Sequence, residues 1–236
     1  MVQAPQRPPV HGPTFIRLLA NLVGADVPPS PPSLADHLGR WLDWSHAIAL
    51  STALDGKPAA TDSGAHDSGS EEHECTRIRR SLAGTIVGDR VPAASPPRRA
   101  GGEAGEADAS QAVDYPMFRQ RHLSLQRSMQ AATGGLRSRL RDTLAGKSAA
   151  MARLAAVDAA MEAALSPREQ SLLAHVPDLL GQHFERLHQA ASAKPASTSP
   201  GAWLEAFRRD RQSVLLAELD VRFQPVEGLL AALRTC

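Results

Sequence analysis

The sequence predicts an all-α protein, a helical bundle with long antiparallel helices onto which an N-terminal helical hairpin docks. Hydrophobic residues make up 42% of the chain and aromatic residues only 4%, so the core must rest on Leu, Ala, Val and Met. Leu and Ala are strong helix formers, and the β-branched and aromatic runs that mark strands are nearly absent. Apolar residues also recur at steps of three and four, which is the helical period.

Low-complexity stretches divide the chain into blocks. The 17 glycines and 18 prolines cluster instead of scattering, which predicts ordered blocks separated by flexible ones. Residues 1–13 are predicted to be disordered. Residues 57–112 are predicted to be a low-complexity linker, disordered except for one short helix near residues 71–88.

The sequence also predicts a location in the cell. No apolar run approaches the roughly 20 residues needed to cross a bilayer, and the N-terminus lacks the apolar segment of a secretory signal. Cys75 and Cys236 lie far apart, which suggests neither a disulfide framework nor a metal site and fits a reducing compartment. We therefore expect a cytoplasmic protein.

Two short helices are predicted in residues 14–56. The first spans residues 14–23, with Phe15 and Leu22 among the apolar residues of one face. The second begins after Ser33, a favourable N-cap, and runs to about Leu54. Because neither helix can bury its apolar face alone, we expect them to pack as a hairpin onto the main helices.

The C-terminal block, residues 114–236, is predicted to form the bundle. The apolar stripe of its first tract comprises Phe118, Leu125, Met129, Ala132, Leu136, Leu140, Leu144, Met151, Leu154, Met161 and Leu165. Gly134 and Gly135 interrupt the stripe and predict either a kink or the close approach of another helix. The tract is either one helix of about 70 Å or two helices with a break near residues 146–148.

Later helix boundaries are read from capping residues and prolines. The Ser-Pro-Arg-Glu sequence at residues 166–169 has the pattern of a capping box and predicts a helix start. Pro177 predicts a kink or a restart, and Ser199-Pro200 predicts the start of the last helix. Pro225 predicts a bend before a closing turn.

A candidate partner-binding surface follows from charge and from one tryptophan. The net charge of +1 conceals a basic block, since Asp142 is the only acidic residue between residues 117 and 153. Trp44 lies slightly off the apolar stripe of its helix, which predicts an exposed side chain of the type enriched in binding hot spots. The surface comprises Arg119, Arg121, Arg127, Arg137, Arg139, Arg141 and Trp44.

The arginines allow two interpretations. An exposed Arg-rich helix over residues 119–153 could neutralise nucleic-acid phosphates. However, no aromatic residue is interleaved there as a base-stacking platform, and no helix-turn-helix spacing stands out. Residues 154–192 are acidic, so an antiparallel partner helix of opposite charge explains the pattern without nucleic acid. Pairing with carboxylates is the favoured interpretation.

No catalytic, cofactor or metal motif stands out. The nucleophile elbow and the phosphate-binding loop are both missing, and His183 and His188 are five residues apart, not four. A carboxylate pair near Glu218 could carry acid–base chemistry. Glu218 and Arg222, four residues apart, are better explained as an ordinary helical ion pair. We therefore expect no cofactor, no metal and no enzymatic activity.

Several stretches resemble an uncharacterised proteobacterial family known only as domain of unknown function 3348. They are residues 15–20, 38–44, 47–51, 118–126, 154–158, 203–207, 215–220 and 224–229. The resemblance covers nearly all of the chain except the low-complexity segments, and the family has no established activity to carry over. It implies gene clusters that also encode a membrane protein of the flagellar-stator or Tol type and a peptidoglycan-binding protein similar to outer-membrane protein A. The resemblance therefore implies an accessory role near the cell envelope, peripheral to the inner membrane through a partner.

These observations predict a non-enzymatic helical adaptor or scaffold protein. Its expected partner is another helical protein, implied by the resemblance to be a membrane-associated or envelope component. The alternative is a nucleic-acid-binding or regulatory protein that uses the Arg-rich helix. The sequence does not indicate the oligomeric state.

Overall fold

A computed structural model describes residues 14–24, 34–56, 68–89, 114–193 and 201–235. Over these residues the chain is all-α, which confirms the predicted fold class, and no strand occurs among them. The helices are α1 (Thr14–Val23), α2 (Leu34–Trp41), α3 (Trp44–Asp55), α4 (Ser68–Val87), α5 (Tyr115–Ala145), α6 (Ala149–Leu173), α7 (Val176–Ser192) and α8 (Ala202–Leu233). None of these helices is long and apolar enough to cross a membrane.

The bundle is built on α5 and α8, which run parallel to each other. Phe118 near the start of α5 contacts Phe207, and Gln126 farther along contacts Glu218, so both helices advance in the same direction. The antiparallel packing that the sequence predicted occurs between this pair and the helices next to it. α6 and α7 return along one side, and α4 runs antiparallel along the other.

The core consists of two apolar clusters stacked along α5 and α8. One cluster joins α4, the second half of α5 and the second half of α8, with Met129, Leu140 and Val226 fully buried. The other joins α1, α7 and the first halves of α5 and α8 around four aromatic rings. The rings are Tyr115, Phe118, Phe184 and Phe207.

The N-terminal helices pack on the bundle at two separate places. α1 inserts Phe15 and Leu22 into the aromatic cluster beside α7 and α8. α2 and α3 instead pack on α6, so the three helices are not arranged as the expected hairpin.

The single helix predicted from Ser33 to Leu54 is in fact two helices. α2 ends at Trp41 because Asp43 starts a new helix as its N-cap, accepting hydrogen bonds from the His46 amide at 2.9 Å and the Ser45 hydroxyl at 2.6 Å. Ser33 lies outside the described residues.

α4 is longer than the predicted short helix, and it belongs to the bundle. It begins at Ser68 and buries Cys75 and Ile86 against α5 and α8, although Cys75 was expected to lie in a linker. Cys236 and the segments predicted to be disordered, residues 1–13 and the remainder of 57–112 from 57 to 67 and from 90 to 112, lie outside the described residues.

Two of the helix boundaries that were predicted from prolines are not observed. The start predicted at residues 166–169 is wrong, because Pro167 lies inside α6 and Glu169 pairs with Arg222 on α8. Pro225 likewise lies inside α8, which continues to Leu233 instead of ending in a separate turn. Each proline removes one backbone hydrogen bond, and tertiary contacts along the rest of the helix offset that loss.

Other predicted boundaries are observed. α5 ends at Ala145, and Ser148 caps α6 by accepting from the Met151 amide, so the long tract consists of two helices. Pro177 lies in the first turn of α7. Ser199 and Pro200 lie outside the described residues, and α8 follows Gly201, whose φ of 85° is in the left-handed region.

Glycines differ sharply in their surroundings. α5 passes through Gly134 and Gly135, and a Cβ atom at either position would meet nothing within 4 Å, so the predicted close approach of another helix does not occur. At Gly181 in α7, a Cβ atom would lie 2.9 Å from Cε1 of Tyr115. The Tyr115 ring is packed between Phe184 and Phe207, and its hydroxyl donates to the carbonyl of Pro177.

This difference predicts opposite effects for two alanine substitutions. Gly134→Ala should stabilise the fold by up to about 1 kcal/mol, because Ala is the better helix former and the site has space. Gly181→Ala should destabilise it, because the tyrosine ring has to move within packed aromatic neighbours. Urea denaturation of both variants measures the two free energies of unfolding. Equal shifts would show that Tyr115 moves without cost.

Candidate functional site

The arginines of α5 lie mainly among carboxylates of this chain. Arg137 binds Asp158 on α6 with two hydrogen bonds, from Nε at 2.8 Å and from Nη2 at 2.7 Å. Arg141 reaches the same carboxylate at 3.0 Å and also contacts Glu162. This cluster is half-buried between antiparallel helices of opposite charge, the arrangement that the charge pattern favoured.

The remaining arginines of the predicted surface lie along other sides of α5. Arg139 pairs with Glu71 of α4 at 3.0 Å, and Arg121 pairs with Asp89 at 2.6 Å. Arg119 lies 3.7 Å from Asp178 and is exposed. Arg127 is also exposed and has no ion-pair partner within the described part of the chain.

A buried polar layer separates the two apolar clusters. Glu218 of α8 is completely buried and accepts hydrogen bonds from Arg222 at 2.9 Å and from the Gln126 amide at 2.9 Å. Burial raises the pKa of Glu218 even though Arg222 and Gln126 favour its charged form. The helical ion pair that the spacing of Glu218 and Arg222 predicted is therefore present, but it is buried, so desolvation dominates its energetics.

His122 lies in this layer and is 1% exposed. Its Nε2 is 3.8 Å from the Glu218 carboxylate, beyond hydrogen-bonding distance, and neither ring nitrogen has a hydrogen-bond partner. The pKa of His122 is lowered to about 3, mainly by burial and then by the positive charges of Arg211 and Arg222, whereas Asp89 acts in the opposite direction. The imidazole is therefore neutral at pH 7, so it forms no ion pair with Glu218.

Next to this layer, a cavity of about 180 Å³ opens between α5, α6 and α8. Its walls carry Arg137 and Arg222, each of which faces a glutamate, Glu162 at 3.6 Å and Glu169 at 3.2 Å. The positive and negative groups are thus already matched, so the wall offers no excess of one charge to attract an ionic ligand.

α3 presents a different kind of surface. Trp44, whose exposure the sequence predicted, is 80% exposed, and Ile48 and Leu54 are each more than half exposed. Trp44, Ile48 and Ser51 follow the i, i+4, i+7 spacing and lie on one stripe, with Leu54 beside it. None of the α3 residues is buried, although the helix packs against α6.

The residues of the predicted partner-binding surface do not lie together in the structure. The structure places the six arginines around the bundle and Trp44 on the separate helix α3, so they do not form one surface. Ile48 and Leu54 were missed because residues 34–54 were interpreted as one helix with Ile48 on its inward stripe, whereas α3 is a separate helix on which both side chains are exposed. The burial of His122 was missed although its position was a signal, because the residue lies four after Phe118 and three before Leu125, on the apolar stripe of α5.

The described residues define a class, an all-α bundle in which most arginines of α5 pair with carboxylates and helix α3 exposes Trp44, Ile48 and Leu54. A family model described as "Protein of unknown function (DUF3348)" matches residues 1–235, and the chain belongs to this family. No curated protein matches the chain. No solved structure matches it either.

The arginine contacts predict a difference between Arg137 and Arg127. Arg137→Ala should cost about 1–2 kcal/mol, because it removes two charge-assisted hydrogen bonds while Arg141 still neutralises Asp158. Arg127→Ala should change the free energy of unfolding by less than about 0.5 kcal/mol. Urea denaturation at low salt measures both. Similar small effects would show that the buried contact contributes nothing net.

The buried imidazole predicts acid sensitivity. Unfolded His122 takes up a proton below about pH 6.5, whereas the folded ring does so only near pH 3. The free energy of unfolding is therefore highest above pH 6.5. Below that pH it decreases by about 1.4 kcal/mol per pH unit, because the unfolded chain binds the proton and the folded chain does not. His122→Leu should remove this loss. The ring faces Arg211, Arg222, Asp89 and Glu218, all of which remain in the variant.

The measurement is urea denaturation from pH 7.5 to pH 4 on wild type and variant. The raised pKa of Glu218 acts in the opposite direction in both proteins, so the difference between the two curves isolates His122. The exposed His175→Gln variant serves as control and should keep the wild-type slope. Parallel wild-type and His122→Leu curves would mean that the ring is protonated in the folded state.

Proposed function

We propose that this protein is a non-enzymatic helical scaffold that binds another helical protein through the exposed face of α3. The observation that carries the proposal is Trp44, which is 80% exposed beside Ile48 and Leu54 on a helix with no buried residue. Large aromatic side chains in contact with water favour association, because binding removes their apolar area from solvent.

The internal matching of charges supports the same proposal. Arg137, Arg139 and Arg141 all bind carboxylates on neighbouring helices, so these side chains act within the fold. In the buried layer, the Glu218 carboxylate likewise binds Gln126 and Arg222, so this group also acts within the fold. A scaffold requires this kind of rigid body, whereas its binding surface has to remain accessible.

The family resemblance adds a proposed setting, in which the partner belongs to a membrane-associated or envelope complex. The nucleic-acid alternative would rely on the same arginines. Among the arginines from residue 119 to residue 153, Arg127 and Arg153 are exposed without an ion pair within the described residues. They lie on different helices, which is a weak basis for phosphate binding.

The proposal predicts that Trp44→Ser abolishes partner capture while leaving the fold unchanged. Affinity-tagged wild-type protein is compared with this variant by quantitative mass spectrometry of captured proteins. Val87→Ser is the matched control, because Val87 is equally apolar and 58% exposed on α4. At least one helical protein should be lost with Trp44→Ser and retained with Val87→Ser.

Equal capture by all three proteins would contradict the proposal. Circular dichroism and urea denaturation establish that the variants are folded, since surface substitutions of this kind change stability by no more than about 0.5 kcal/mol. Recovery of the partner in the membrane fraction would support the envelope setting.

A further inference from the structure

The exposed face of α3 has an acidic rim. Asp43 stands at the start of the helix and Asp55 at its end, and both carboxylates are exposed. Asp55 follows Trp44 by eleven residues, so it lies on the stripe of Trp44 and Ile48 three turns farther along. Hydrogen bonds from the Ser45 hydroxyl and the His46 amide lower the pKa of Asp43, which keeps it charged. α3 contains no lysine or arginine.

This rim argues against a second copy of the chain as the occupant of the face. Antiparallel pairing of two α3 helices would bring Asp43 of one copy next to Asp55 of the other. Parallel pairing would bring the two Asp55 side chains together. Both arrangements place like charges opposite each other with no lysine or arginine on α3 to offset them, which disfavours self-association.

The size of the face argues for a single helix as the occupant. α3 has 12 residues, which gives a length of about 18 Å, and a helix is about 10 Å wide. The contact area is then about 180 Å², well below the roughly 800 Å² that each partner of a stable complex buries. Such a face fits one amphipathic helix bound weakly and reversibly in helix-to-helix contact.

We propose that the occupant is a basic amphipathic helix of another protein, with an apolar stripe on Trp44 and Ile48 and cationic residues beside Asp43 and Asp55. This inference rests on the proposed function, since it specifies the partner of the same surface. The two cations must stand about three helical turns apart on the partner. An acidic or uncharged helix with the same apolar stripe binds more weakly.

The test uses the full chain and a phage-displayed library of 16-residue peptides. Each peptide keeps one apolar stripe, and its polar positions vary among Lys, Glu and Ser. Selection is carried out on the wild-type protein, on Trp44→Ser and on the double variant Asp43→Ser with Asp55→Lys. Ser at position 43 preserves the N-cap, and Lys at position 55 suits the helix C-terminus, so this variant keeps α3 while reversing its rim.

Wild-type selection should enrich peptides with Lys at two positions about three turns apart. Fluorescence anisotropy of matched Lys and Glu peptides should give an affinity ratio of about tenfold at low salt, falling as salt screens the charges. The rim-reversed variant should prefer the Glu peptide. Trp44→Ser should enrich neither.

The results that would contradict the inference differ from those that would also contradict the proposed function. Binders that depend on Trp44 but show no preference for Lys overturn the basic helix and leave the proposed function standing. Absence of any Trp44-dependent binder overturns both. A wild-type dimer in sedimentation velocity that Trp44→Ser dissociates assigns the face to a second copy and also overturns the inference.

Discussion

The bundle depends on the carboxylate of Glu218, which is buried where its two apolar clusters meet. A lone charge there would be strongly unfavourable, so Arg222 and Gln126 have to hold their positions on α8 and α5. Gln126 also donates to the carbonyl of Leu173 at 3.2 Å, which extends the constraint to the end of α6. Three helices are therefore fixed in register at one level, a specificity that apolar packing alone supplies less sharply.

The fold class was predictable from sequence because the helical period is a local property. The break at residues 146–148 was an open alternative that the structure decided, since a glycine followed by a favourable N-cap is also a local signal. The failures have a common cause in tertiary contacts. Pro167 remains inside α6 while Glu169 reaches α8, and Glu218 is buried although its spacing from Arg222 is that of a surface pair. The hydrophobic period of a helix does not indicate which other helices it packs against.

Charge and apolar surface have separate roles in this structure. The charged side chains of α5 mostly face carboxylates on α4, on α6 or just beyond α4, and therefore hold helices together. The outward face of α3 is apolar between two aspartates. The most conspicuous sequence feature is thus internal, whereas the surface that we propose for binding lies on a short helix with weak amphipathic character. A charge pattern that is conspicuous in the sequence therefore does not have to be accessible to a partner in the folded protein.

The packing of α1 and α4 has a consequence for synthesis on the ribosome. α1 packs against α7 and α8, and α4 packs against α5 and α8, so both depend on a helix that is made long after them. Phe15, Leu22, Cys75 and Ile86 cannot reach their final neighbours until α8 has been translated. Contacts so distant along the chain also slow closure of the bundle. The nascent protein therefore exposes these apolar side chains for most of its translation, a period in which a chaperone would protect it from aggregation.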